Sequence, residues 1–227
     1  MAIKIIAFDA DDTLWHNESY FQEAENRFKD LLEDYLPQHT VGRELLRTEM
    51  DNLPWYGYGV KAFILSMIET AIRITDGNLK SRDIETIIGF GKELLAKPVV
   101  MLDGVEKVLA NLAQKYRLVL ATKGDLLDQE RKLYKSSLAG YFHHIEIMSE
   151  KREADFQKLI RHLDVAPAEF AMIGNSLKSD VMPVLQLGGH AYHIPYHVTW
   201  DLEKVDHHIE HENFRQVEKI SQLLEYL

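Results

Sequence analysis

The sequence predicts an α/β fold in which a doubly wound parallel sheet carries an inserted α-helical domain. Short apolar runs, typical of strands buried on both faces, occur at the start of the chain and repeatedly after residue 98. Residues 16–97 instead place apolar side chains three and four apart, as amphipathic helices do, and show no strand pattern. The predicted domains are therefore a sheet core, residues 1–15 and 98–227, and a helical insertion, residues 16–97.

The first strand is predicted in the apolar run of residues 3–8, and three carboxylates follow it within four positions. Asp9 and Asp11 would project from the carboxyl end of this strand, where open α/β sheets bind ligands. Two such close carboxylates repel each other, and in a chain without cysteine an oxygen-liganded cation such as Mg²⁺ is the favoured remedy. The alternative is a polar turn in which Asp11, Asp12 and Thr13 cap the next helix.

Four helices are predicted in the insertion. They span approximately residues 21–35, Thr40–Leu53 with Pro54 as the stop, Val60–Thr75 and Ser81–Leu95. The connection at 55–61 interleaves two glycines with aromatic residues, a composition found in loops that cover ligands. Tyr56, Tyr58 and Lys61 are therefore candidate substrate-binding residues, although the aromatic rings could equally fill the core of the helical domain.

A strand-helix rhythm returns after residue 98 and predicts four further strands. They are placed at Arg117–Ala121, His144–Met148, Phe170–Ile173 and His190–Ile194, the last being followed by a terminal helix through Val217 and Leu227. Strands separated by helices require right-handed crossovers and a parallel sheet covered on both faces. The predicted core is therefore Rossmann-like.

Residues able to handle a phosphate follow each of the first four predicted strands. After the first strand and its acids come Thr122, Lys123 and Gly124, then Lys151, and finally Asn175 and Asp180. Because parallel strands deliver their carboxyl ends to one edge, these residues are expected to converge. Each also has a plainer interpretation: Thr122 and Asp180 as helix caps, Lys151 as a solvated side chain.

In this order the four groups resemble the motifs of the haloacid dehalogenase superfamily, in the phosphatase branch whose helical cap follows the first motif. The resemblance spans Ile3 to Asp180. Two positions depart from the common pattern: Asn175 stands where an Asp is usual, which would weaken metal binding, and Arg152 replaces the Pro that often follows the motif lysine. Lys158 is a rival for that lysine, but Lys151 is preferred because it lies at a strand end.

The resemblance implies a phosphatase with an aspartyl-phosphate intermediate. Asp9 would be the nucleophile and Asp11 the general acid and base, while Thr122, Lys151 and backbone N–H groups near Asp12 and Lys123 would hold the phosphoryl oxygens. The implied Mg²⁺ ligands are Asp9, the Asp11 carbonyl, Asp180 and Asn175. Members that cleave carbon–halogen bonds lack an acid at the position of Asp11, so a phosphatase is favoured over a dehalogenase.

Composition limits the remaining alternatives. The net charge of −10 argues against general nucleic-acid binding, although a nucleotide substrate stays open. No stretch approaches the roughly 20 apolar residues of a membrane span, and a cytoplasmic enzyme acting on a small phosphorylated metabolite is expected. A phosphomutase acting on a sugar phosphate and a non-catalytic phospho-accepting or binding protein of the same fold are the alternatives. The sequence carries no signal for an oligomeric state.

Overall fold

The computed structural model describes residues 2–205 and 208–227. These residues divide into two compact units. The sheet unit comprises the chain up to Glu18, Val99–Lys123 and Gln129–Leu227, and the helical unit comprises Ser19–Pro98 and Gly124–Asp128.

Eight helices and six strands make up the regular structure of the described residues. The helices are α1 (Glu18–Leu31), α2 (Gln38–Tyr56), α3 (Val60–Ile74), α4 (Ser81–Ala96), α5 (Val105–Leu112), α6 (Leu126–Ser136), α7 (Glu153–His162) and α8 (Met182–Gln186). The strands are β1 (Ile5–Phe8), β2 (Arg117–Lys123), β3 (His144–Met148), β4 (Phe170–Gly174), β5 (His190–His193) and β6 (Phe214–Gln216).

All six strands pair in parallel, in the order β3-β2-β1-β4-β5-β6. The predicted α/β class with a doubly wound parallel sheet is confirmed. Strand β1 lies at the centre, and its residues are all fully buried because both faces of the sheet are covered. Ile5 and Ala7 pack with α7 residues on one face, whereas Ile6 and Phe8 pack with α5 residues on the other.

The expected end of the sheet was wrong. A sixth strand, β6, follows β5, and the predicted terminal helix is a 3₁₀ turn, Ile220–Glu225. Strand β6 has only three residues, Phe-Arg-Gln, and lies at an edge, so it lacks the apolar pattern of a buried strand. The 3₁₀ turn is nevertheless anchored, because Ile220 and Leu223 are buried in the core below α5.

Helices α1 to α4 supply the helical unit with a core of its own, which includes Phe28, Leu45, Met67 and Ile87. Pro54 does not end α2 as expected. The helix continues to Tyr56, and the Gly57 N–H still bonds the Leu53 carbonyl at 3.0 Å. A proline this close to a helix end removes one backbone donor, and the helix stops within the next turn.

Segments of the sheet unit on either side of the helical insertion Ser19–Pro98 pair with each other. Trp15 forms an antiparallel bridge with Met101, and the His16 N–H donates to the Val100 carbonyl at 3.0 Å. The Leu102 N–H donates to the Leu14 carbonyl at 2.9 Å. The segments before and after this insertion are therefore joined by backbone hydrogen bonds.

Within residues 2–205 and 208–227, none of the helices combines the length and the apolar character that crossing a membrane requires.

Candidate active site

Lys151 joins the first and fourth sequence motifs at the carboxyl edge of the sheet. Its ammonium nitrogen lies 2.5 Å from Asp9 Oδ1 and 2.6 Å from Asp180 Oδ1, and the residue is 4% exposed. The expected convergence of these three side chains is thus present. The rival Lys158 lies on α7 with its side chain 74% exposed, near Asp155.

The turn after β4 fixes the carboxylate of Asp180. Its Oδ2 accepts the backbone N–H of Ser176 at 3.0 Å, and the segment Leu177–Val181 forms one turn of π-helix. Gly174 makes this possible, because a Cβ there would lie 2.1 Å from Asp180 Oδ2. The glycine at the end of β4 is therefore required by the close approach of the carboxylate.

The electrostatic balance at this edge is negative. Burial raises the pKa of Asp9 to about 7; Lys151 opposes this rise, and the charge of Asp180 adds to it. Burial would lower the pKa of Lys151, but Asp180 and Asp9 outweigh it and raise that pKa, so the ammonium group stays charged. One ammonium facing two buried carboxylates leaves an excess negative charge that a divalent cation would offset.

The side chains beside Asp9 fit a cation with oxygen ligands. One end of the Asn175 amide lies 3.3 Å from Asp9 Oδ2 and 3.2 Å from the Asp11 carbonyl oxygen. Ligands of Mg²⁺ sit about 2.1 Å from the metal in an octahedron, which puts neighbouring oxygens about 3 Å apart. The amide nitrogen at this end would donate to both oxygens, whereas the amide oxygen would join them as a third metal ligand.

This donor set contains few charged groups. Across the described parts of the chain, no three side chains of the His, Cys, Asp and Glu types are grouped as a metal site. A cation near Asp9 would therefore depend on two carboxylates, one amide and one backbone carbonyl. The hydroxyl of Thr13, which donates to Asp9 Oδ2 at 3.1 Å, orients the nearer carboxylate.

The carboxylate of Asp11 is held by three side chains. Trp15 Nε1 donates to Oδ1 at 2.7 Å, Gln129 Nε2 donates to Oδ2 at 2.8 Å, and Lys132 Nζ lies 2.7 Å from both oxygens. Gln129 and Lys132 stand three positions apart on α6, so they share one face of that helix. In this arrangement Asp11 is fully hydrogen-bonded by the protein.

Asp12 acts as a cap, as the polar-turn alternative expected. Its Oδ1 accepts the N–H of Asn17 at 2.8 Å, and its two oxygens accept the N–H of Glu18 at 3.1 and 3.0 Å. Burial, together with the charge of Asp11, raises the pKa of Asp12 to about 7. The Asp12 N–H donates to the Trp15 carbonyl at 2.7 Å, so here this N–H is directed to the protein and not to a phosphate oxygen.

Thr122 belongs to β2 and is buried, whereas the cap of α6 is Asp125, whose Oδ1 accepts the Asp128 N–H at 3.1 Å. Lys123, the last residue of β2, forms a partly buried ion pair with Glu203. Gly124 has φ +141°, a left-handed value that suits glycine. The sequence thus located the end of β2 two residues too early.

Tyr56 and Lys61, two of the three candidates in the helical unit, each contact an acidic residue of that unit. Tyr56 OH donates to Glu69 Oε1 at 3.0 Å, and Lys61 Nζ lies 2.8 Å from Asp125 Oδ2. Tyr58 is half-buried between the two glycines.

Several contacting residues were not identified from sequence. They are Thr13, Gln129, Lys132, Ser179, His193 and Glu203. Thr13 lies inside the first motif and could have been included. The others bring no local pattern of their own, because their partners are distant in sequence.

Comparisons with known proteins agree with this geometry. The family model for haloacid dehalogenase-like hydrolases matches residues 3–188. A haloacid dehalogenase-like family hydrolase from Xanthomonas campestris has 39% identity and a TM-score of 0.90, with 99% of this chain and 90% of that one covered. The putative HAD-hydrolase YfnB from Bacillus subtilis, solved with bound magnesium, has 16% identity and a TM-score of 0.68, covering 100% and 99%, and shows the shared fold.

Among curated proteins, the N-acylneuraminate-9-phosphatase of Mus musculus is 29% identical over 126 residues, which are 53% of this chain and 51% of that protein. The chain thus spans about half the length of the curated relatives it matches. The family match over residues 3–188 includes all four motifs, from Asp9 to Asp180. With the parallel sheet and the meeting of Asp9, Lys151 and Asp180, it establishes that the chain belongs to the haloacid dehalogenase-like hydrolases.

Proposed function

We propose that this chain is a Mg²⁺-dependent phosphatase that hydrolyses a small phosphorylated metabolite through an aspartyl-phosphate on Asp9. The observation that carries the proposal is the contact of Lys151 with both Asp9 and Asp180 at the carboxyl edge of the sheet. A buried carboxylate held next to a fixed cation is suited to attack an anionic phosphate ester. The likeness to a phosphatase of N-acylneuraminate 9-phosphate supports the same reaction class.

In the first half of the reaction, a carboxylate oxygen of Asp9 forms a bond to phosphorus and the ester oxygen leaves. Lys151 and the Thr122 hydroxyl bind the phosphoryl oxygens as charge develops on them. Asp11 gives its proton to the leaving oxygen. In the second half, Asp11 takes a proton from water, which attacks phosphorus and frees Asp9 and inorganic phosphate.

Asp11 must exchange partners to do this work. Each of its oxygens already accepts two hydrogen bonds, from Trp15, Gln129 and Lys132. Proton transfer to an ester oxygen requires that one of these contacts give way to the substrate. The catalytic role of Asp11 thus includes a rotation or a local shift away from α6.

Asp9, the Asp11 carbonyl, Asn175 and Asp180 would hold the metal. When bound, Mg²⁺ supplies positive charge that reduces the repulsion between the phosphate dianion and the nucleophile. In place of a charged ligand, Asn175 offers a neutral amide, so weaker Mg²⁺ binding is expected than with an Asp at this position.

The helical unit is proposed to select the leaving group. Tyr56, Tyr58 and Lys61 combine aromatic surface, hydroxyl groups and one cation, which suit the hydroxyl and carboxylate groups of a sugar acid. N-acylneuraminate 9-phosphate is accordingly the first substrate to assay, beside simpler sugar phosphates and nucleotides.

The test is phosphate release over a panel of phosphorylated metabolites with Mg²⁺, comparing the parent with Asp9→Asn. The variant is expected to lose about 10³-fold or more in kcat, because the nucleophile is removed. Lys158→Met, on the exposed face of α7, is the matched control and is expected to retain parental activity. Equal rates for the parent and Asp9→Asn would refute the assignment of the nucleophile.

Product analysis in the same assay separates the alternatives. A phosphatase yields inorganic phosphate and the free hydroxyl compound in equal amounts. A phosphomutase would yield an isomeric sugar phosphate instead, and a non-catalytic binding protein would yield neither.

A further inference from the structure

Glu203 is a partly buried carboxylate from the segment after β5, which the family match of residues 3–188 does not include. It lies in a 3₁₀ turn, Asp201–Glu203, and its side chain is 12% exposed. One carboxylate oxygen pairs with the ammonium of Lys123. The other accepts hydrogen bonds from the hydroxyls of Ser176 and, at 2.6 Å, Ser179.

The three partners of Glu203 connect two of the motifs. Lys123 closes β2, and its ammonium also donates to Ser179 Oγ at 2.9 Å. Ser176 and Ser179 belong to the turn after β4, which joins Asn175 to Asp180; we call residues 175–180 the metal turn. Glu203 therefore links the end of β2 to the metal turn through charged and hydroxyl groups that are all in the sheet unit.

The Ser176 hydroxyl, which donates a hydrogen bond to Glu203, also accepts a hydrogen bond within the metal turn. Ser176 Oγ accepts the Ser179 N–H at 2.9 Å and so caps the π-helical turn, while the Ser176 N–H binds Asp180 Oδ2 at 3.0 Å. A carboxylate that fixes the rotation of the Ser176 hydroxyl also fixes this cap. The position of Asp180 follows from it.

Electrostatics favours the charged form of Glu203. Burial alone would raise its pKa, but the ion pair with Lys123 and the hydrogen bonds from Ser176 and Ser179 outweigh that effect and lower it.

Lys178 of the metal turn adds a further contact, because its ammonium donates to the Leu202 carbonyl at 2.7 Å. The turn 201–203 is thus held to the metal turn by both side chain and backbone.

A second contact reaches the metal turn from the same side. His193 Nε2 lies 2.9 Å from the Asn175 carbonyl oxygen, and its Nδ1 lies 3.1 Å from Gln216 Oε1. Since a carbonyl oxygen only accepts, Nε2 donates this bond. His193 therefore holds the Asn175 end of the turn, while Glu203 holds the hydroxyls of Ser176 and Ser179.

We propose that Glu203 is a positioning residue for Mg²⁺ binding, which acts through Ser176 and Ser179 to hold Asn175 and Asp180 in place. This inference depends on the metal site of the proposed function. Residues that orient metal ligands commonly change metal affinity by about 10–100-fold when they are replaced. Asn175 adds no charge to the site. We therefore expect Mg²⁺ affinity to depend more on the geometry of the turn here than in a site with an Asp at this position.

The experiment measures Mg²⁺ binding by isothermal titration calorimetry on the full chain without substrate. Glu203→Gln keeps the size of the side chain and is expected to weaken Mg²⁺ binding by about 10–100-fold. At saturating Mg²⁺ its kcat is expected to stay within about threefold of the parent, because Glu203 does not touch the reacting atoms. Asp201→Asn removes the same charge from the exposed part of the same turn and should bind Mg²⁺ as the parent does.

Ser179→Ala is a second variant that keeps the Lys123–Glu203 pair and removes one hydroxyl, so it tests the same link if Glu203→Gln fails to fold. It is expected to weaken Mg²⁺ binding by about 10-fold. Unchanged binding in a folded Glu203→Gln, or in Ser179→Ala in its place, would overturn the inference while leaving the proposed phosphatase intact. A parent chain that binds no Mg²⁺ would overturn the metal site itself.

Discussion

The buried ammonium group of Lys151 forms ion pairs with two carboxylates, those of Asp9 and Asp180. These contacts measure 2.5 Å to Asp9 and 2.6 Å to Asp180. Water has little access to them, since the side chains of Lys151, Asp9 and Asp180 are 1, 10 and 2% exposed. Removing one partner of a buried ion pair leaves an uncompensated charge, which costs more than the pair gained when it formed. The same cation that would bind phosphate is therefore also a structural element of the site.

Lys151→Met tests this dual role. The variant is expected to lower the free energy of unfolding by about 3–5 kcal/mol, because two buried carboxylates lose their shared cation. Lys158→Met, the matched control on the exposed face of α7, should change it by less than about 0.5 kcal/mol. Urea denaturation followed by far-ultraviolet circular dichroism measures both. Equal stability of the two variants would show that Lys151 has no such role.

At the scale of single residues, the end of a strand is the sequence feature that locates Lys151, and the catalytic role of this lysine stays a prediction. Lys151 was preferred over Lys158 because it follows β3, and the structure brings it to Asp9 and Asp180. Glu203 and Lys132 were missed for a physical reason. Their partners lie 24 or more positions away along the chain, and no periodicity or spacing in the sequence expresses such contacts.

At the scale of single elements, the turn after β4 has the tightest constraint. The Asp180 carboxylate occupies the space that a side chain at Gly174 would need, at 2.1 Å from the position of a Cβ. The close packing of Gly174 against Asp180 therefore holds the π-helical turn against the end of β4. This element has little freedom to accept even one methyl group.

Gly174→Ala is expected to destabilise the fold by about 1–3 kcal/mol through overpacking and to reduce phosphate release. Gly89→Ala is the matched control, because Gly89 lies in α4 with open space where its Cβ would be. In a helix interior this change is expected to stabilise by about 0.5–1 kcal/mol. Thermal unfolding of both variants checks the opposite signs, and a neutral Gly174→Ala would contradict the packing argument.

Element prediction failed at the end of the sheet, and the cause is physical. Strand β6 has three residues, two of them exposed. It is a strand because its backbone pairs with β5, and its side chains show no apolar pattern that would predict it. The spacing of Val217, Ile220 and Leu224 suggested a helix, but the segment closes as a 3₁₀ turn against α5. The central strands were predictable because burial on both faces enforces a continuous apolar run.

At the scale of the whole molecule, two units with separate cores share one chain. The sheet unit holds the proposed metal site, and the core of the helical unit is built mainly from α1 to α4. Binding of an ion to the native state stabilises the structure that contains the site, by about 2.7 kcal/mol at a hundredfold excess over Kd. Local opening reactions elsewhere need not change.

Hydrogen exchange with and without Mg²⁺ follows from this arrangement. Mg²⁺ is expected to slow exchange of amides in β1, β4 and the metal turn, and to leave amides of α2 and α3 unchanged. Mass spectrometry of peptic fragments measures both sets, and sodium chloride at equal ionic strength controls for salt. No slowing in β1 and β4 would argue against the metal site, while equal slowing in α2 and α3 would show that the units open together.

The paired backbone crossings at Trp15–Met101 and His16–Val100 have an evolutionary consequence. A module that is inserted between two paired segments can be lengthened, trimmed or exchanged for another without changing the path of β1. Exchanging the inserted module between these paired segments is therefore expected to change the substrate preference that we propose for it, while β1 and Asp9 keep their places.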